Sequence, residues 1–276
     1  MRSQPSLSLR NLLSVWLSAF MFLSACRSGS TAPACAECHI GGKIISPQDG
    51  MTLVYVPEGK FKMGTNNGNS DEKPAHSVYL NAFWIDQTEV TNAMYAKCVQ
   101  AGECTPPDLF GSYTRESYYG NPEFDDYPVI YVSWSDATAY CAWADRRLPT
   151  EAEWEKAARG TNGRTYPWGD TALNSKLLNY NGDVGDTSIV GKYPDGASMY
   201  GALDMAGNVW EWVGSFYQSY PYDANDGRED MSAGNGRIVI RGGAWGDSDV
   251  YLYAAYRDWL SPTDTGYYLG FRCARD

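Results

Sequence analysis

Two stretches of this chain carry side chains whose types and spacing can do chemistry. The first is Cys35-Ala36-Glu37-Cys38-His39, which spells CxxCH, the pattern that attaches a c-type haem through two thioethers and an axial histidine. Only residues 40–50 separate it from the first strand expected at Met51, too few to enclose a porphyrin. A haem at Cys35, Cys38 and His39 is therefore not expected, and a disulfide in a tether is. The second stretch is Arg237–Asp276, RIVIRGGAWGDSDVYLYAAYRDWLSPTDTGYYLGFRCARD. Within it Asp247, Ser248, Asp249, Tyr251, Tyr253, Tyr256, Asp258, Tyr267 and Tyr268 form a candidate ligand-binding face. Tyrosine offers wide contact area at low entropy cost, and small polar residues adapt their hydrogen bonds to a ligand. The competing reading is that these tyrosines pack a loop-rich core. Trp245 and Trp259 are the side chains expected inside, Tyr267 and Tyr268 those expected outside.

Regular elements must hold this run at both ends. Ile238-Val239-Ile240 reads as a strand entering Gly242-Gly243, Leu269–Cys273 as a closing strand, and the residues between show no helical or strand period. Upstream, Met51–Pro57 alternates and with Gly59–Gly64 reads as a hairpin. Val78–Leu80 and Phe83–Ile85 are further strands, with His76 in a loop before them. Thr91 caps a helix over Ala93–Val99, and Ser133 or Ser135 caps one over Ala137–Ala144. Thr150 with Glu153 three residues on is a capping box, and Gly160 ends that third helix. Beyond Thr161, Gly, Asn and Asp dominate and regular structure should be sparse.

With 43% hydrophobic and 20% charged residues in 276, the chain has enough apolar material for one domain and too little charge for a disordered one. A formal net charge of -11 without clustered Lys and Arg excludes a nucleic-acid surface. Arg2 and Arg10, the short apolar run Leu12–Leu23 and the lipobox-like Leu23-Ser24-Ala25-Cys26 mark an exported lipoprotein. The expected organisation is a signal peptide over 1–25, a tether over 26–50 beginning at a lipidated Cys26, and a domain over 51–276. Arg27 after the anchor points to the outer membrane or cell surface, with the lipid as the only membrane contact. Export implies oxidising conditions, so the six remaining cysteines should pair. Cys98 and Cys104 are close enough for a local bridge, and Cys141 and Cys273, far apart in sequence, could tie the middle of the domain to its closing strand.

RLPTEAEWEKAARG, YPWGD, GALDMAGNVWEW, RGGAW and LGFRC occur in that order between Arg147 and Cys273. Together they resemble the formylglycine-generating enzyme, or sulfatase-modifying factor, family over 51–276. The resemblance implies an α+β, C-type-lectin-like fold with few short helices and strands, a Cys141–Cys273 disulfide, and bound structural calcium. Carried over residue by residue, one calcium set is Asn179, Tyr180, Asp183 and Val184, and the other Asp204, Gly207, Val209 and Glu211, an all-oxygen mixture that suits a hard cation.

The family's oxidase chemistry uses two cysteines after the Gly-Gly pair as soft copper(I) ligands. Counting from Gly243, those positions hold Asp247 and Leu252, and no cysteine lies between 142 and 272. A second branch of the family uses iron held by several histidines, and this chain has only His39 and His76. Neither copper nor iron is therefore expected. The Tyr-rich run also resembles the variable region of retroelement-diversified proteins built on the same fold. Its fixed framework would be Arg241, Gly242, Gly243, Trp245, Arg257, Trp259, Gly270, Phe271 and Arg272. The expectation is a calcium-stabilised binding domain without a catalytic centre, its partner a protein or glycan at the cell surface. The alternatives are a family enzyme with altered chemistry and a structural envelope lipoprotein.

Overall fold

The computed structural model describes residues 35–233 and 236–276; the leader expected at 1–25 and the lipidation site Cys26 lie outside the described residues. Lys43–Ile45 forms β1, which pairs antiparallel with β2, Thr52–Val56. Ordered structure thus begins within the expected tether, because Ile44 packs on the main core.

The hairpin expected from Met51 to Gly64 does not form. β2 pairs with β5, Phe83–Asp86, whereas β3, Gly59–Met63, pairs with β4, His76–Leu80. The connection explains the split. Pro57 and Gly59 turn their carbonyls to the buried Lys156 ammonium, which donates to them at 2.6 and 3.0 Å. Gly59 sits at φ 128°, where a side chain is disfavoured, and this lets β3 leave the first sheet. His76, expected in a loop, opens β4; its Nε2 accepts from the Tyr222 N–H at 2.8 Å.

The first sheet runs β1-β2-β5-β10, with β10 at Ala274–Arg275, so the end of the chain closes beside β5. A second sheet has the order β8-β7-β6-β9: β6 is Trp210–Phe216, β7 Ile238–Arg241, β8 Asp258–Leu260 and β9 Leu269–Phe271. β6 and β9 are parallel and the other neighbours antiparallel. β8 lies inside the stretch that showed no period, since three residues are too few to display one.

The helices begin where their caps indicate. Thr91 Oγ1 accepts from the Met94 N–H before α1, Asn92–Ala101. Ser133 and Asp136 form a capping box on α2, Trp134–Trp143, and Thr150 and Glu153 form another on α3, Glu151–Arg159, which Gly160 ends at φ 70°. Between Gly160 and β6 the described residues hold only a 3-10 turn at Pro194–Gly196, as their composition implies. No helix among the described residues is long and apolar enough to cross a membrane.

The main core gathers Tyr95, Tyr140 and Phe271 around Cys141 and Cys273, and a second cluster sets Trp154 against Val213 and Val239. Cys141–Cys273 and Cys98–Cys104 are bonded as expected, and Cys35 is bonded to Cys38. The result is a loop-rich α+β domain.

Candidate ligand-binding site

Every residue of α3 is buried, although five of its nine are charged: Glu151, Glu153, Glu155, Lys156 and Arg159. Charges leave water only when paired or hydrogen-bonded, and the partners of Glu151 and Glu155 come from the C-terminal run. Arg257 forks onto Glu151 at 2.7 and 2.8 Å, Arg241 pairs with Glu155, and Arg272 grips Glu211 of β6 through two contacts of 2.7 Å. These are three of the residues expected to form the run's fixed framework. They pin it at 241, 257 and 272 and leave the intervening loops to build a surface.

That surface includes a cleft of about 500 Å3 whose lining side chains include Tyr113, Trp210, Trp245, Asp247, Tyr267 and Tyr268. The rings of Tyr113 and Trp245 lie 5.1 Å apart, those of Tyr113 and Tyr267 5.0 Å, and those of Tyr267 and Tyr268 5.3 Å at near right angles. Residues 181 and 182 dock against this turn: Asn181 N donates to the Asp247 carbonyl and Gly182 N to that of Trp245, each at 2.9 Å. Asp247 Oδ2 accepts from Trp210 Nε1 at 2.8 Å and from Ala244 N at 2.9 Å. Burial raises the pKa of this carboxyl, opposed by those two donors.

Of the nine residues expected on the binding face, Asp247, Tyr267 and Tyr268 line this cleft. Asp249 and Tyr251 are exposed on a 3-10 turn, Asp249–Tyr251, and Ser248 is exposed just before it. Tyr256 is half-buried between Trp210 and Tyr251, and Asp258 lies in β8. Tyr253 faces a different cleft. Trp245 is buried as expected, whereas Trp259 is half-buried under the Arg237 guanidinium, 3.5 Å above its ring. Tyr267 and Tyr268, expected outermost, are half-buried because each leans on a neighbouring ring. The sequence reading assigned no site role to Tyr113 or Trp210. Trp210 stands in the quoted GNVWEW motif, which was the available signal; Tyr113 lies in a segment without a pattern and had none.

The two positions counted as the family's reactive cysteines have different fates. Asp247 braces the turn. Leu252 is 1% exposed and packs with Leu178 and Ala206; a Cβ on Gly243 would stand 2.6 Å from its Cδ2. All six cysteines among the described residues are in disulfides.

The first calcium set is divided. Asn179 is buried with Oδ1 lacking a partner, while Asp183 and Val184 are exposed. The Tyr180 carbonyl accepts the Asp183 N–H at 3.0 Å. In the second set, Asp204 Oδ2 accepts from Gly191 N at 2.5 Å, and both Glu211 oxygens meet Arg272. The two sets adjoin: Asn179 O accepts from Asn208 N at 3.0 Å, and a Cβ at Gly207 would stand 2.3 Å from that oxygen. Glu89 is buried beside them, its Oε2 unpartnered and its pKa raised by desolvation and by Asp204. No group of three or more His, Cys, Asp or Glu side chains among the described residues is placed to hold a metal ion. An unpartnered amide oxygen and an unpartnered carboxylate oxygen are nonetheless the donor chemistry of a hard cation.

Residues 45–276 match the family model described as a sulfatase-modifying factor enzyme 1-like domain. The chain is 32% identical to a formylglycine-generating enzyme of Streptomyces coelicolor, over 89% of this chain and 96% of that protein. It is equally 32% identical to mouse inactive C-alpha-formylglycine-generating enzyme 2, over 80% of this chain and 85% of the other. The solved structure of Treponema denticola variable protein 1 superposes with a TM-score of 0.66 at 24% identity, covering 84% of this chain and 98% of that one, a likeness of fold. The fold is thus the expected C-type-lectin-like one, and a relative named as an enzyme and one named as inactive are equally near in sequence. The chain belongs to the sulfatase-modifying factor enzyme 1-like family.

Proposed function

We propose that this protein is a non-catalytic member of its family that binds a ligand through the aromatic cleft around Trp245. One observation carries the reading: the positions where the family chemistry needs two thiolates hold Asp247, anchored to Trp210 and Ala244, and Leu252, sealed in the core. Without a thiolate there is neither a soft copper ligand nor a nucleophile for disulfide exchange. Of the two ligand classes, a protein is favoured over a glycan. Leu109, Phe110 and Tyr113 stand more than half exposed on the loop that supplies one wall, the kind of apolar display that a protein surface covers. Lipidation at Cys26 would hold the domain at the outer membrane or cell surface, where such a ligand is met.

The full chain, incubated with copper(I), oxygen and a cysteine-containing sulfatase-type peptide, should leave the peptide mass unchanged. Conversion of the cysteine to an aldehyde, read by mass spectrometry, would refute the non-catalytic reading. The alternative, an enzyme with altered chemistry, draws support from the raised pKa of Asp247 in an aromatic setting. On that alternative the peptide would be modified, and Asp247→Asn would stop the modification.

Calcium is part of the proposal. Asn179, with Tyr180, Asp183 and Val184, would hold one ion, and the turn from Asp204 through Gly207 and Val209 to Glu211 a second, next to Glu89. Bound calcium would supply positive charge to a buried group in which Glu89, Asp204 and Glu211 face Arg272. A chelator should then lower the thermal midpoint by several degrees, and added calcium should restore it. At a free concentration 100 times the dissociation constant, the linkage is worth about 2.7 kcal/mol. An unchanged midpoint in chelator and in excess calcium would remove calcium from the account.

A further inference from the structure

A second cleft, of about 550 Å3, is lined by residues of the 62–72 loop together with Arg159, Gly163, Thr165 and Tyr253. Its loop is pinned from within. Thr65 N donates to the Glu72 carbonyl at 2.9 Å, Asn66 Oδ1 accepts from Ala75 N at 2.9 Å, and Asn69 Nδ2 donates to Glu72 Oε1 at 3.0 Å. Glu72 is 2% exposed, yet among the described residues its Oε2 accepts no hydrogen bond and is not among the sealed polar atoms. That oxygen can take its place in the cleft lining because residue 68 is glycine: a Cβ there would stand 1.7 Å from Oε2. Burial raises the pKa of this carboxyl, as expected for an acceptor held out of bulk water.

Around this acceptor stand complementary groups. The Asn67 side chain is exposed with both amide atoms free among the described residues, and Asn66 keeps its amide nitrogen free. On the other side Tyr253 presents a half-buried ring, backed by Tyr166 at 5.4 Å, which in turn stacks on Trp168 at 5.0 Å and 7°. The cations present do not make an anion site. Arg159 is spent on Glu155 and on the carbonyls of Gly64, Gly163 and Arg164, which leaves Lys62 alone. The same two cations disfavour a cationic ligand. A rigid ring beside a buried carboxylate oxygen, free amides and hydroxyls suits a molecule with a C–H face and many hydroxyl groups.

We propose that this cleft is a carbohydrate-binding site for a neutral pyranose, its ring stacked on Tyr253 and its hydroxyls donating to Glu72 Oε2 and bonding to Asn66 and Asn67. The site is separate from the aromatic cleft and stands or falls without it.

The test is saturation-transfer NMR and calorimetry on the full chain with lactose, maltotriose, N,N′-diacetylchitobiose and the acidic sialyllactose as probes. At least one of the three neutral probes should bind saturably. Asn67→Ala, an exposed change that leaves the fold intact, and Tyr253→Ala should each weaken that binding roughly tenfold or more. Failure of all four probes to bind overturns the proposal, as does neutral-sugar binding that survives both substitutions. Binding of sialyllactose alone, lost in Lys62→Ala, overturns the neutral assignment.

Discussion

Arg257→Ala should cost about 3–5 kcal/mol of folding stability, the range for stripping one partner from a buried ion pair. Arg257 and Glu151 are both fully buried at the side chain, joined by two contacts, and Arg257 also donates to the Gln218 carbonyl at 2.8 Å. Removing the guanidinium leaves the Glu151 carboxylate in the core with the Tyr220 hydroxyl at 3.2 Å and its place at the N-terminus of α3 as support. Urea unfolding followed by tryptophan fluorescence measures the loss. A double variant, Glu151→Gln with Arg257→Met, should recover a large part of it, because the stranded charge rather than the missing contact is the main cost. A loss below about 1 kcal/mol for the single change would show that water reaches Glu151 and that the run is not pinned at 257.

Replacing both Cys141 and Cys273 with alanine should lower stability by about 5 kcal/mol in the chain-entropy account. The two are 132 residues apart in sequence and fully buried, so the bond confines half of the unfolded chain. The Cys98–Cys104 bond, with a separation of 6, should be worth only about 2 kcal/mol by the same account. Denaturation of the two double variants side by side compares them. Equal losses would mean that the long bridge acts through native packing around Tyr140 and Phe271 rather than through the unfolded chain.

The reach of the sequence can be traced residue by residue. Caps are local chemistry, so Thr91, the Ser133/Ser135 pair and Thr150 marked three helix starts, with Ser133 the residue that caps the second. Five ordered motifs identified the family and its fold. The hairpin expectation failed at Pro57 because the carbonyls of that connection answer to Lys156, some 97–99 positions away. The α3 charges look like a solvated face by local rules, and nothing nearby in sequence shows that Arg241 and Arg257 arrive to bury them.

By itself the sequence determined that the chain has the sulfatase-modifying factor framework and that no cysteine stands where that framework holds its reactive pair. Those properties are matters of residue identity and order. Only the tertiary structure decided that Asp247 turns its carboxylate to Trp210, that Tyr113 joins the same cleft from a distant loop, and that Tyr253 serves a different one. Side chains in period-free loops take their directions from long-range contacts, above all the buried arginine–glutamate pairs at 241, 257 and 272, and a local pattern carries no record of those.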